Sequence, residues 1–226
     1  MSTDRPIVLV TGASRGLGRA LALAEAARGA HVVALARTVG GLEEVDDAVR
    51  AAGGSATLVP LDVTDDEGIA RMGAAVADKW GRLDGWWSCA VHAPPCAPAA
   101  HADAKDVDRA HAVNARAVQR LIRVLDPLLR TATDGFAVLP DHAVEGAAYF
   151  GPYAATKAAA RAWWDAWAAE TARSRLRVLR LTPPPMPTAL RARFFPGENR
   201  DSLPPVAEAA ARLIAERDAR IAAPAA

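Results

Sequence analysis

Short runs rich in Val, Leu and Ile alternate along the chain with Ala-rich stretches of helical length. Uninterrupted apolar runs of strand length mark strands buried on both faces, and alternation with helical stretches is the pattern of βαβ units around a parallel sheet. Six strands are predicted, at Ile7–Thr11, His31–Ala36, Ala56–Leu61, Leu83–Cys89, Gly135–Leu139 and Leu176–Thr182. Helices are predicted at about Leu17–Arg28, Gly40–Ala52, Asp66–Trp80, Ala104–Arg130 and Gly151–Arg173. Right-handed crossovers wind such helices onto both faces of one sheet, a three-layer α/β/α arrangement. The run Pro183–Pro187 leaves the sheet as a loop, because proline neither continues a strand nor enters a helix interior. A last helix is expected at Val206–Arg217, which leaves Ala219–Ala226 for a seventh strand. No repeat or long linker divides the chain, so residues 1–226 are expected to form a single domain.

Composition narrows the function classes. Of 226 residues, 51% are hydrophobic and 23% charged, with a net charge of +1, so no global field recruits nucleic acid or an anionic membrane. Arg173, Arg175, Arg177 and Arg180 are better explained as cations at a helix end and along a strand than as a nucleic-acid stripe. Cys89 and Cys96 are the only cysteines, too few for a disulfide framework and without metal-site spacing, so no metal is expected. The first residues lack the pattern of a secretory leader, and Glu25, Arg28 and His31 interrupt the longest apolar region, Ala20–Ala36. A cytoplasmic protein is the expectation.

Candidate chemistry begins after the first predicted strand, in Thr11-Gly12-Ala13-Ser14-Arg15-Gly16-Leu17-Gly18. A glycine turn that follows a strand and opens a helix lets backbone approach a pyrophosphate and offers it free helix N–H groups, which makes the domain Rossmann-like and dinucleotide-binding. NAD-binding units carry an acidic residue at the end of the second strand for the ribose 2′-hydroxyl. Here that strand ends in Arg37, and Arg37 and Arg15 are both placed to meet a 2′-phosphate, so NADP(H) is favoured over NAD(H). Asp62, followed by Val63 at the end of the third strand, either accepts from an adenine amino group or caps the next helix, a job Thr64 could also do.

Tyr153 and Lys157, spaced i and i+4, share one helical face, where an ammonium favours the phenolate and suits the pair to move a proton while a nicotinamide exchanges hydride. With these residues the chain resembles the short-chain dehydrogenase/reductase family over nearly its whole length: Thr11–Gly18, Leu61-Asp62-Val63, Asn114, Tyr153, Lys157 and the segment ending in Thr188. The resemblance implies Tyr153 as acid/base, Lys157 as its pKa modifier and ribose ligand, Asn114 in a water-linked proton relay, and Met186 and Thr188 near the carboxamide. It also implies cofactor contacts at Ser14, Leu17 and Ala90.

Three departures from the family stand out. Ser88-Cys89-Ala90-Val91 replaces Asn-Asn-Ala-Gly, Pro183-Pro184 replaces Pro-Gly, and Pro140 stands thirteen positions before Tyr153, where the family places a substrate-binding Ser nearby. His142 or a protonated Asp141 is the expected substitute for that hydroxyl. Leu190, Phe194 and Phe195, with Tyr149 and Phe150, are expected to form a lid at about 188–205 over an apolar substrate. Trp163, Trp164 and Trp167 crowd a helix that packs against a partner subunit in the family, which points to a homodimer. Two functions follow: an NADP(H)-dependent oxidoreductase for a small carbonyl or alcohol, or a cofactor-binding sensor or scaffold with weak or no catalysis.

Overall fold

The six apolar runs form β1 (Ile7–Thr11), β2 (His31–Ala36), β3 (Ser55–Pro60), β4 (Gly85–Ser88), β5 (Phe136–Pro140) and β6 (Arg177–Leu181). The structure, a computed structural model, describes residues 5–142, 144 and 146–223. All pairings are parallel, in the order β3-β2-β1-β4-β5-β6. After β3 the chain returns to the middle of the sheet to lay β4 beside β1. That reversal opens a crevice at the carboxyl ends of the central strands.

Helices α1 (Gly16–Ala27), α2 (Val39–Ala51), α3 (Asp66–Trp80), α4 (Ala104–Ala110), α5 (Ala117–Arg130), α6 (Gly151–Thr171), α7 (Ala189–Phe194) and α8 (Val206–Ala222) complete the elements. Successive strand residues serve opposite faces. Leu9 and Trp86 pack with Ile69 of α3, Leu121 of α5 and Trp164 of α6. Val8, Val10 and Trp87 pack with Leu21 of α1, Val45 of α2 and Leu213 of α8. The doubly wound α/β/α architecture is therefore as expected.

One buried ion pair fastens the second of these layers. Arg217 of α8 is bonded to Glu25 of α1; both are buried. The Trp87 Nε1–H donates to Glu25 Oε1 at 2.8 Å, and the Arg217 guanidinium lies 4.2 Å from the Phe136 ring centroid.

Element ends follow their local chemistry. Helix α3 keeps its expected bounds because Asp65 accepts from the Gly68 N–H at 2.9 Å and Gly81 ends the helix with φ +69°. The expected seventh strand is absent among the described residues, and α8 continues to Ala222 instead. Its Glu216–Arg220 pair at 2.7 Å and run of helix-forming Ala and Arg carry it past Arg217. The single helix expected over Ala104–Arg130 is interrupted by a π-helical stretch, His111–Arg116. Of the three tryptophans expected at an interface, Trp164 and Trp167 are core residues, 5.0 and 6.1 Å from Trp86 by ring centroids. Their indole N–H groups donate to the Leu179 carbonyl (2.9 Å) and Asp126 Oδ1 (2.7 Å), so their polar ends are satisfied inside the chain. Trp163 is 50% exposed.

Candidate active site

The turn after β1 is pressed between the start of α1 and the end of β4. Gly12 has φ +74°, and a Cβ there would stand 2.8 Å from the Ala90 nitrogen and from the Cys89 carbonyl carbon. A Cβ on Gly18 would stand 2.3 Å from the Gly12 oxygen. Any larger residue would push the turn off the sheet. The Gly12 and Ala13 N–H groups donate to the Leu35 carbonyl at 2.8 and 3.1 Å, which fixes the turn to β2. Helix α1 starts after Arg15 with no side-chain cap, so its first N–H groups are left for whatever enters the cleft. The cleft itself, about 1260 Å³, is lined by Gly12, Ser14, Arg15, Gly16, Leu17, Gly18, Arg37, Asp62, Val63, Ala90, Asn114, His142, Tyr153, Lys157, Met186 and Thr188, all singled out in the sequence, but not by Asp141, Tyr149 or Phe150.

At the β2–β3 end of the cleft, Arg15 and Arg37 are exposed. Asp62 caps no helix; Asp65 does that. Asp62 Oδ1 instead accepts from the Thr64 N–H and hydroxyl at 2.9 and 2.8 Å, and its Oδ2 accepts from Arg109 at 2.7 Å with Arg37 3.9 Å away. Burial opposes its charge, but the Thr64 and Arg109 bonds outweigh that and hold the carboxyl below the ordinary range. The Asp62–Arg109 bond joins residues 47 apart, and nothing in the local pattern announces it.

At the β5–β6 end, Tyr153 and Lys157 project from the first turns of α6, both buried. The Tyr153 ring packs 4.8 Å from the Phe194 ring by centroids. Among the described residues no hydrogen bond reaches its hydroxyl. The Lys157 ammonium lies 3.3 Å from Asp141 Oδ1 and donates to the Pro140 carbonyl at 3.4 Å. Here the expected effect of lysine on tyrosine is not the net result. Burial, and after it the Asp141 carboxylate, pushes the Tyr153 phenol above its ordinary value. Burial pulls Lys157 down while Asp141 supports its charge.

Asp141 itself is 5% exposed and off the cleft wall. Its oxygens face Lys157, Arg161 and Arg180, so it acts as an acceptor and offers the cleft no donor, which removes it as the stand-in for serine. His142 does line the cleft; burial first, then Arg191 and Lys157, lowers its pKa and keeps the imidazole neutral near pH 7. A neutral ring retains one N–H to donate. The Cys89 thiol is pushed up to about 12 by burial and is no nucleophile at neutral pH.

Asn114 sits in the π-helical stretch, and its side chain makes three hydrogen bonds within the fold. Its Oδ1 accepts from the His92 N–H (2.7 Å), and its Nδ2 donates to the His92 carbonyl (2.8 Å) and Thr156 Oγ1 (3.0 Å). It thereby ties the loop after β4 to α6. Thr188 Oγ1 accepts from the Arg191 N–H at 3.2 Å and so starts α7. The Phe194 and Phe150 rings pack 5.0 Å apart by centroids, tilted at 55°, beside Tyr153, whereas Tyr149 is 60% exposed and contributes little to an apolar wall. Arg191 and Glu198 close the segment with two bonds of 2.6 Å.

Residues 6–199 match the family model for short chain dehydrogenases. The chain belongs to that family. Its members are oxidoreductases that act with NAD(P) on alcohol or carbonyl groups. The oxidoreductase YciK of Escherichia coli K12, itself uncharacterized, is 31% identical over 202 residues, 87% of this chain and 80% of YciK. A short chain dehydrogenase from Salmonella enterica serovar Typhi superposes with a TM-score of 0.85 at 30% identity, over 90% of this chain and 86% of that one. A protein of Escherichia coli CFT073 assigned as a short chain dehydrogenase and crystallised with NADPH has a TM-score of 0.84 at 32% identity, over 91% and 87% of the two chains. Other matches are partial: against the fatty acyl-CoA reductase of Acinetobacter baylyi the chain is 40% identical over 78 residues, which is 26% of that protein.

Proposed function

We propose that the protein transfers hydride between NADP(H) and a small apolar carbonyl or alcohol. The observation that carries this reading is a single cleft that runs from the uncapped start of α1 to Tyr153. Residues 1–226 act as one dinucleotide-binding domain, with 188–205 as a lid whose Leu190, Phe194 and Phe195 meet the substrate. A bound nicotinamide supplies the hydride chemistry. Gly12–Gly18 would hold the pyrophosphate; Asp62, Val63 and Ala90 the adenosine; Lys157 the ribose; and Met186 and Thr188 the carboxamide. Tyr153 moves the proton to or from the substrate oxygen, and the neutral His142 ring donates to the same oxygen in place of the serine. Asn114 keeps the cleft wall in place behind the water that hands protons on. Two free thiols suit a cytoplasmic protein.

The test compares wild type with Tyr153→Phe across a carbonyl panel with NADPH, beside direct binding measurements. NADPH binding without Tyr153-dependent turnover would overturn the reading in favour of a cofactor-bound sensor or scaffold.

The preference for NADP(H) rests on Arg15 and Arg37 and on relatives crystallised with NADP(H). Arg37→Gln is expected to weaken NADPH binding by about 10–100-fold, the loss of one charge-assisted bond, and NADH binding by less than about threefold. Calorimetry on both cofactors decides it; equal losses would remove the 2′-phosphate from Arg37.

The homodimer is proposed on Trp163 alone, which stands exposed on α6 beside His111, Arg116 and Gln119. Trp163→Glu is expected to convert dimer to monomer in sedimentation at micromolar concentration, and a wild-type monomer would refute the proposal.

A further inference from the structure

Asp141 has no part in the reaction proposed above, yet it is a buried carboxylate facing three cations. Lys157 Nζ lies 3.3 Å away, Arg161 Nη1 3.3 Å and Arg180 Nη1 3.4 Å. Its N–H donates to the Leu181 carbonyl at 2.8 Å, so the residue that follows β5 is locked to β6. Lys157 and Arg161 come from successive turns of α6 and Arg180 from β6. The Arg180 Nε donates to Asp165 Oδ1 at 2.6 Å, which extends the chain of charges from the cleft wall to a half-exposed carboxylate. Lone charges at such depth neutralise, so an ammonium that must stay charged beside Tyr153 needs a fixed counter-ion.

We propose that Asp141 is a positioning residue of the active site: it clamps the Lys157 ammonium on the β5–β6 side of the cleft, and Arg180 sets how much of its negative charge reaches Tyr153. Its weight in turnover rests on the reading of Tyr153 as the acid/base, but the clamp itself does not. The charged or titratable groups linked to the Asp141–Lys157 pair beside Tyr153 are Arg161 and Asp165 on α6, His142 after β5, Cys89 after β4, Arg180 on β6 and Arg191 on α7. Cys89 and His142 are neutral near pH 7. Of the carboxylates in this set, Asp141 is the one that raises the Tyr153 phenol. Removing its charge takes away the carboxylate that opposes the phenolate, so the phenol falls; removing Arg180, a cation 3.4 Å from the same carboxylate, takes away part of that fall. A residue that merely supported the fold would not give these ordered shifts.

The chain has two tyrosines, so Tyr149→Phe leaves Tyr153 as its only phenol. With tyrosine labelled with carbon-13 at Cζ, its ionisation can be followed by NMR in the full-length protein. Asp141→Asn in that background is expected to lower the Tyr153 midpoint by about one pH unit or more. Asp141→Asn with Arg180→Gln is expected to lower it by less, and because this pair removes one charge of each sign, it decides the matter alone should the single variant fail to fold. A midpoint that stays put or rises in the folded variants would overturn the clamp. If the midpoint falls but no carbonyl shows Tyr153-dependent turnover, the clamp stands and the oxidoreductase reading fails. If both hold, the acid limb of kcat/KM for alcohol oxidation shifts by the same amount as the phenol.

Discussion

Replacing Tyr153 with Phe is expected to lower turnover by about 10²–10⁴-fold, the usual worth of a positioned proton donor, while NADPH affinity stays within about twofold. The split follows from the surroundings of the ring. Its packing on Phe194, 4.8 Å between centroids, survives in phenylalanine, and no described residue loses a bond to the hydroxyl. The substitution therefore deletes proton transfer and little else. His142→Ala is the companion experiment: loss of a single donor to the reacting oxygen is worth about 10²–10³ in kcat. Because the ring is neutral near pH 7, its removal should lower the rate across the neutral range without a new pH dependence. Single-turnover rates with NADPH in excess read both effects. Equal activity in wild type and Tyr153→Phe would remove Tyr153 as the acid/base and, with it, the oxidoreductase reading that rests on that residue.

The four inner strands β1, β2, β4 and β5 were legible because they are buried on both faces, whereas the edge strands β3 and β6 are only partly buried. Val8, Leu9 and Val10 are almost wholly buried, as are Val32 to Leu35, and such runs are difficult to mistake in sequence. Edges were less so. β4 covers Gly85–Ser88, not the whole of Leu83–Cys89, because an apolar run records burial rather than pairing. The π-helical stretch at His111–Arg116 has no compositional signal: it shifts register without changing the apolar spacing enough to be seen. The tail failed as a strand because Ala, Arg and Glu, with an i,i+4 pair, favour helix over the β conformation.

The site divides the same way. Its cofactor end is written in contiguous residues, since glycines that lie within a few positions of one another build one turn. Its catalytic end is assembled from distant segments. Pro140 could be seen to lack a hydroxyl, and His142 to be near the gap. What sequence could not supply is that Tyr153 would be buried, and that Asp141, meeting Lys157, Arg161 and Arg180 from two other elements, would add to the burial that reverses the expected direction of its shift. Asp62 likewise turned out to hold Arg109, a partner 47 positions away. Charge partners across a fold carry no periodicity.

Glu25→Ala is expected to cost about 3 kcal/mol of stability, or roughly 6–12 °C in Tm for a chain of this size. Glu25 is 3% and Arg217 4% exposed, and deleting the carboxylate leaves a buried guanidinium without its main counter-ion and the Trp87 indole N–H without its acceptor. The loss should fall at the lower end of the range for such pairs, because Asp218 Oδ1 remains 2.7 Å from Arg217 and the Phe136 ring still faces the guanidinium. Glu25→Gln keeps an acceptor for Trp87 and should lose less. Glu25→Leu with Arg217→Met removes both charges and should recover most of the stability, because hydrophobic replacement of a buried pair also removes its desolvation cost. Urea unfolding of the four proteins gives the answer. If Glu25→Ala changed the midpoint by the equivalent of less than about 1 kcal/mol, water or Asp218 would already be carrying the Arg217 charge. The α1–α8 contact would then be held mainly by apolar residues such as Leu21, Leu213 and Ile214.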